Sequence, residues 1–281
     1  MKFIETTPDA LGNSVNLFYE DLGRGKPVVF IHGWPLNHAM WEYQLSELPL
    51  HNFRCIAYDR RGFGKSDYPW EKYDYDTLAD DLKALLDHLH LTDVTLVGFS
   101  MGGGEIARYI GKYGIDKISK VVLISAVTPF MLKTNGNPEG VDKEVFDEMI
   151  ESIEKDRPKF LENFGKQFYG VSLFNEAISD PMLAWNQALC LMSSHKATTE
   201  CVLSFSQTDF RDDLLKITVP TLIIHGDADK IVPIEVSGNR TAKMISHAKY
   251  IVYEDAPHGL FITEKDKLNS DLIDFIEGIN T

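Results

Sequence analysis

The sequence predicts an α/β fold: a mostly parallel sheet flanked by helices, with a helical cap inserted into it. Three observations carry this. Short apolar, β-branched runs alternate along the chain with stretches of helical periodicity, the pattern of a parallel sheet covered on both faces. One run, Val94-Thr95-Leu96-Val97, gives way within a few residues to Glu105-Ile106-Ala107-Arg108-Tyr109-Ile110, which has amphipathic helical spacing. Between residues 128 and 213 the alternation stops and the pattern is helical throughout.

Taken in order, residues 14–20 and 27–31 read as strands, and His32-Gly33-Trp34-Pro35 follows as a turn. A helical stretch around 40–48 leads to a strand at 54–58, a loop at 59–67 and a helix over about 75–90. After the strand at 94–97 and its helix comes a strand at 120–125. Strands at 221–224 and 249–253 and a helix over 264–279 close the chain. Residues 1–127 and 214–281 therefore make the core, and 128–213 the cap. The cap opens with Asn135-Gly136-Asn137-Pro138 and carries Phe130, Phe146, Phe160, Phe164, Phe168, Tyr169, Phe174 and Trp185. At helical spacing most of these rings read as core, and only a few are needed to line a pocket.

Bulk properties limit the functions available. A chain of 281 residues suffices for one large α/β domain or a core with an insertion. Its hydrophobic fraction of 44% and charged fraction of 25% are ordinary for a soluble globular protein. The net charge of −14 argues against nucleic acid and anionic membranes, which both select basic surfaces. The first residues lack the apolar core of a signal peptide, and no apolar run approaches the ~20 residues that span a bilayer. Cys55, Cys190 and Cys201 are odd in number and lack CxxC spacing, so they read as buried reduced thiols. Asn239-Arg240-Thr241 matches a glycosylation sequon, a chance match without a secretory signal. A cytoplasmic protein is expected.

The chemistry starts at Gly98-Phe99-Ser100-Met101-Gly102, a Gly-x-Ser-x-Gly pentapeptide between strand and helix, the form of a nucleophile elbow. The chain must turn within a few residues, so the serine is strained and the glycines keep side chains clear. The helix start aims backbone N–H groups at nearby negative charge. Alone, the pentapeptide also fits a flexible turn; its place between strand and helix selects the catalytic reading.

A serine hydroxyl needs a base to take its proton and a third group to orient that base. The base candidate is His258, in Asp255-Ala256-Pro257-His258-Gly259 after the last expected strand; a solvated loop histidine is the competing reading. The acid lies in His225-Gly226-Asp227-Ala228-Asp229, where two carboxylates compete. Asp227 is nearer the strand and able to cap the turn. Asp229 sits further into the loop, where it can cross to His258. His225, Asp227 and Asp229 also alternate like metal ligands, but the glycine argues for a turn, and no metal is expected. For the two backbone donors of an oxyanion hole, Met101 follows the nucleophile and Trp34 lies in the turn after an earlier strand. Gly64-Lys65-Ser66 imitates a phosphate loop, but Asp59 stands where that motif requires glycine. Asp59, Arg60 and Arg61 read instead as structural ties.

Together these blocks resemble the α/β hydrolase superfamily over essentially the whole chain. More narrowly they are similar to the cofactor-free bacterial haloperoxidases (non-haem chloroperoxidases) and the aryl esterases grouped with them. His32-Gly33-Trp34-Pro35, the loop from Asp59 to Ser66, the elbow extended to Glu105, His225 to Asp229, and Pro257-His258-Gly259 carry the resemblance in order. The resemblance implies an α/β-hydrolase fold and a triad of Ser100, Asp229 and His258, with Trp34 and Met101 as oxyanion donors. It also implies an acyl pocket near Phe99, Val127, Phe168, Phe205 and Ile231. The implied substrates are small carboxylic esters, lactones or carboxylic acids, with no cofactor, metal or haem. Hydrogen peroxide is the implied second nucleophile, giving a peracid that oxidises halide outside the protein. A proline after the oxyanion tryptophan is associated with this perhydrolysis, and Pro35 stands there. Dehalogenase and epoxide hydrolase relatives place aspartate at the elbow, where this chain has Ser100.

Three functions thus compete: a serine esterase, a perhydrolase using the same residues, and a non-catalytic ligand-binding module on the same fold. A full set of candidates for nucleophile, acid, base and oxyanion turn favours the first two. The natural substrate, acyl length and enantiopreference are not legible; neither is the oligomeric state, with which a homo-oligomer is compatible.

Overall fold

The computed structural model describes residues 1–172 and 178–278, so Phe174 and Ile279 lie outside the described residues. The strands are β1 (Lys2–Thr6), β2 (Val15–Gly23), β3 (Lys26–Ile31), β4 (Phe53–Tyr58), β5 (Val94–Phe99), β6 (Ile118–Ile124), β7 (Thr221–Gly226) and β8 (Lys249–Tyr253). Among the described residues they form one sheet in the order β1-β2-β4-β3-β5-β6-β7-β8. From β4 to β8 every neighbouring pair is parallel. β1 and β2 close one edge antiparallel. Central β5 is buried at every position, which is why it reads as an unbroken apolar run.

The antiparallel edge is the main departure from the expected sheet. β1 buries only Ile4 and Thr6 of its five residues, too little alternation to mark a strand in the sequence.

The helices are α1 (Glu42–Glu47), α2 (Tyr75–His88), α3 (Met101–Tyr113), α4 (Lys143–Phe168), α5 (Asp180–Leu191), α6 (His195–Gln207), α7 (Arg211–Leu214), α8 (Gly238–Met244), α9 (Leu260–Thr263) and α10 (Lys265–Glu277). α2 and α3 pack on each other and on the sheet, and α1 packs with α10. The Asp74 side chain caps α2 by accepting from the Thr77 N–H. Between β6 and β7 the chain leaves the sheet, and α4 packs against both α5 and α6. α4 is two helices joined at Asp156, whose backbone is extended there. Asp156 caps the second half through the Lys159 N–H, and Pro158 sits at its start, where no N–H is needed.

The loop 59–67 is tied as its charged residues suggest. Asp59 accepts from the backbone N–H groups of His38 and Lys65. Arg61 grips Asp81 through two guanidinium nitrogens, at 2.6 and 2.7 Å. Arg60 pairs with Glu105 of α3, and neither side chain has any exposed surface. The three cysteines are buried and free. Among the described residues no helix is long and apolar enough to cross a membrane.

Candidate active site

The central parallel strands all point their carboxyl ends at one edge of the sheet, and the site is built from the loops there. β5 ends at Phe99 and α3 begins at Met101, so Ser100 must reverse the chain alone. Its φ of 53° and ψ of −116° are sparsely populated by side-chain-bearing residues, at a cost on the order of 1–3 kcal/mol. Hydrogen bonds hold it there: Ser100 N–H donates to Ile124, and the Ser100 carbonyl accepts from Gly103 and Val127. The flanking glycines are required by contact. A Cβ on Gly98 would lie 2.6 Å from the Gly102 carbonyl oxygen, and one on Gly102 would lie 2.5 Å from that of Ile31.

His258 comes from the loop after β8. The loop is anchored to the end of α4 by the Gly259 N–H, which donates to the Phe168 carbonyl at 2.8 Å. The imidazole Nε2 stands 3.0 Å from Ser100 Oγ, and Nδ1 stands 2.6 Å from Asp229 Oδ2. A carboxylate only accepts, so the proton of the neutral ring belongs on Nδ1 and the Nε2 lone pair faces the serine. All three residues are buried, which keeps the charge interactions among them strong.

The two carboxylates of the β7 loop have separate places. Asp229 Oδ1 accepts from the N–H groups of Ile231 and Val232, at 2.9 and 2.8 Å, leaving Oδ2 for His258. Burial alone would raise the Asp229 pKa; electrostatic attraction to His258 and hydrogen bonding by His225 and His258 outweigh it and hold the carboxyl well below its ordinary value. Asp227 is exposed and accepts from the Asp255 N–H, tying this loop to the histidine loop. It does not bond His258.

His225, the first residue of the metal-like run, stands behind Asp229. Its Nε2 is 3.3 Å from Asp229 Oδ2 and 2.8 Å from the Val232 carbonyl oxygen. No sequence signal distinguishes that role, because β7 and its turn bring the two side chains together only on folding.

Met101 is the first residue of α3, so its N–H has no acceptor within the helix. Trp34 follows Gly33, where a Cβ would lie 2.5 Å from the Phe99 ring; glycine lets the turn come down onto the elbow. The indole Nε1 donates to the Thr198 carbonyl of α6, and the ring packs on Phe160, Phe164 and Phe205. The Trp34–Pro35 bond is cis.

Ser100 opens into a cavity of about 350 Å³ whose walls include Trp34, Val127, Phe205 and Ile231, four residues of the expected surroundings. Phe99 and Phe168, expected at the acyl pocket, do not line it. Both rings lie 4.8 Å from the His258 ring, and Phe168 meets it edge-on. The physical reason is position: Phe99 ends a fully buried strand and packs inward on Trp41 and Phe261. The pair packs against the imidazole. Met131, Phe146, Met149, Phe160 and Phe164 are among the other apolar residues of the wall, which helical spacing alone cannot separate from core.

The chain matches the family described as alpha/beta hydrolase fold over residues 26–265. It is 41% identical to the non-heme chloroperoxidase of Kitasatospora aureofaciens, covering 94% of this chain and 97% of that protein. Identity is also 41% to the bifunctional esterase/perhydrolase of Acinetobacter calcoaceticus, with the same coverage of each chain. Among solved structures, the bromoperoxidase from Bacillus anthracis superposes with a TM-score of 0.93 at 44% identity, covering 98% of this chain and 100% of that one.

Proposed function

Because the chain belongs to the α/β hydrolase fold family, within its non-haem haloperoxidase group, we propose that it is a serine hydrolase of small carboxylic esters or lactones that also performs perhydrolysis. Ser100, His258 and Asp229 are its triad, and Met101 and Trp34 its oxyanion donors. The observation that carries this reading is the continuous chain Ser100 Oγ–His258 Nε2–His258 Nδ1–Asp229 Oδ2, with links of 3.0 and 2.6 Å.

His258 takes the hydroxyl proton as Ser100 Oγ attacks the ester carbonyl carbon. The carbonyl oxygen becomes an oxyanion facing the N–H groups of Met101 and Trp34, while Asp229 stabilises the imidazolium. Collapse breaks the bond to the alkoxide, which leaves with the proton from His258. Water, deprotonated by His258, then attacks the acyl-enzyme and releases the acid. Hydrogen peroxide entering in place of water releases a peracid, which passes an oxygen atom to halide and reverts to the acid. Both relatives compared by sequence carry names from this chemistry, one as a chloroperoxidase and one as an esterase/perhydrolase.

Residues 128–213 act in this reading as a cap closing the site over a core of 1–127 and 214–281. α4 to α6 pack together, which supports it; α7 packs on α3, at the join with the core. The buried thiols fit a reducing, cytoplasmic setting. A fluorophosphonate probe tests the nucleophile: one adduct is expected, on the Ser100 peptide, and none in Ser100→Ala. An adduct elsewhere, or none in the wild type, contradicts the assignment.

A further inference from the structure

Lys230 differs from every other side chain lining the catalytic cavity. It is the one lining residue with a formal charge, directly after Asp229 in the chain and on the same wall as Ile231 and Val232. Most of the wall is apolar, and its inner part, including Trp34, Val127, Met131 and Phe205, is buried. Lys230 is exposed, as are Gln167, the amide residue of the lining, and Val145; the three mark the cavity's mouth, and Lys230 and Gln167 are its polar side chains. Among the described residues Lys230 makes no ion pair or side-chain hydrogen bond, although the chain carries 42 acidic residues against 28 basic ones.

A lysine ammonium offers three donors and no acceptor, so its partner must be an acceptor and is best an anion. From the cavity's geometry we propose that the preferred substrates carry a carboxylate at the far end of an apolar acyl chain, as in a half-ester of a dicarboxylic acid. The inference rests on the serine-hydrolase reading and adds a substrate class to it. The ester enters the apolar interior toward Ser100. The carboxylate stays at the mouth, because desolvating it among the rings is costly. There it meets Lys230, with the Gln167 amide as a second donor. The low-dielectric wall beside the ammonium strengthens this attraction, and exposure to water weakens it. The same asymmetry fixes which end of the molecule reaches the serine. It also counters the repulsion that a net charge of −14 exerts on anions.

Monomethyl adipate and methyl heptanoate test it, since they have nearly the same length and differ in the terminal charge. Hydrolysis of each is followed by pH-stat at low salt, and the ratio of their kcat/KM values is the readout. Lys230→Met is expected to lower the adipate-to-heptanoate ratio about two- to fivefold, the range of an exposed ion pair. Lys230→Glu should lower it further, and Lys230→Arg should preserve it. The wild-type ratio should fall as salt is raised. A ratio unmoved by charge reversal overturns the proposal. Failure of the wild type to cleave either ester would instead count against the hydrolase reading itself.

Discussion

His32 donates its Nδ1 proton to the carbonyl of Gly33, 2.8 Å away. The tautomer follows from the opposite side of the ring, where Nε2 accepts from the Arg60 backbone N–H at 3.0 Å. Burial and the Arg60 charge hold the His32 pKa well below its ordinary value, so the ring stays neutral at working pH. The Gly33 carbonyl and the Trp34 N–H belong to one planar peptide, so fixing one fixes the other. In the proposed mechanism His32 is therefore a positioning residue for the Trp34 oxyanion donor.

Replacing His32 by Phe should lower kcat for ester hydrolysis about tenfold or more, with KM changed much less, given that losing one oxyanion donor costs about 10²–10³. Affinity for a boronic acid that mimics the tetrahedral intermediate should fall in parallel. A variant that loses only thermal stability would show that His32 is packing and nothing more.

In the proposed triad His225 backs Asp229, with Nε2 3.3 Å from Oδ2, and His225→Phe removes that polar contact to a charged group. A fall in kcat of about tenfold is expected, with His225→Asn restoring part of it. The pH profile of kcat/KM separates this from simple damage: its acid limb should move in His225→Phe and return toward wild type in the asparagine variant.

The Asp229 carboxyl, held well below its ordinary value, makes a stability prediction with a definite sign. Its pKa is lower folded than unfolded, so its stabilisation is fully present above the unfolded value of about 3.9. It is lost as pH falls through that value toward the native one. The stability difference between wild type and Asp229→Asn, from urea melts, should therefore shrink below about pH 4. A difference that grows on acidification would mean the carboxyl is not stabilised as an anion. At neutral pH the same variant should lose about 10⁴ in kcat.

Glu105 and Arg60 make a fully buried ion pair beneath this turn, and Arg60 also donates to the His32 carbonyl at 2.9 Å. Burial pushes the Glu105 carboxyl up, against the pull of Arg60. Glu105→Ala strands the guanidinium in the interior and should cost about 3–5 kcal/mol. A urea midpoint close to wild type would show that water or another acid reaches Arg60.

How much of this was legible in the sequence depended on the range of the interactions involved. Gly98, Ser100 and Gly102 announce the elbow because its strain is local and only those residue types relieve it. The strand ends locate His258, Asp229 and the turn at Trp34, since a parallel sheet brings such loops to one edge. His225 and His32 were silent because their roles depend on contacts made across the fold. That Phe99 and Phe168 pack on the imidazole and do not line the cavity was hidden for a similar reason: the sequence of an aromatic beside a catalytic candidate does not show which way its ring faces. β1 was missed because an edge strand with two buried residues leaves almost no periodic trace.

The most direct measurement is p-nitrophenyl acetate hydrolysis alongside bromination of a dye in acetate and hydrogen peroxide, each with wild type and Ser100→Ala. One acyl-enzyme serving two nucleophiles predicts both activities in the wild type and their joint loss in the variant, by about 10⁶ in the serine protease case. Ester hydrolysis or bromination surviving in Ser100→Ala would contradict the mechanism.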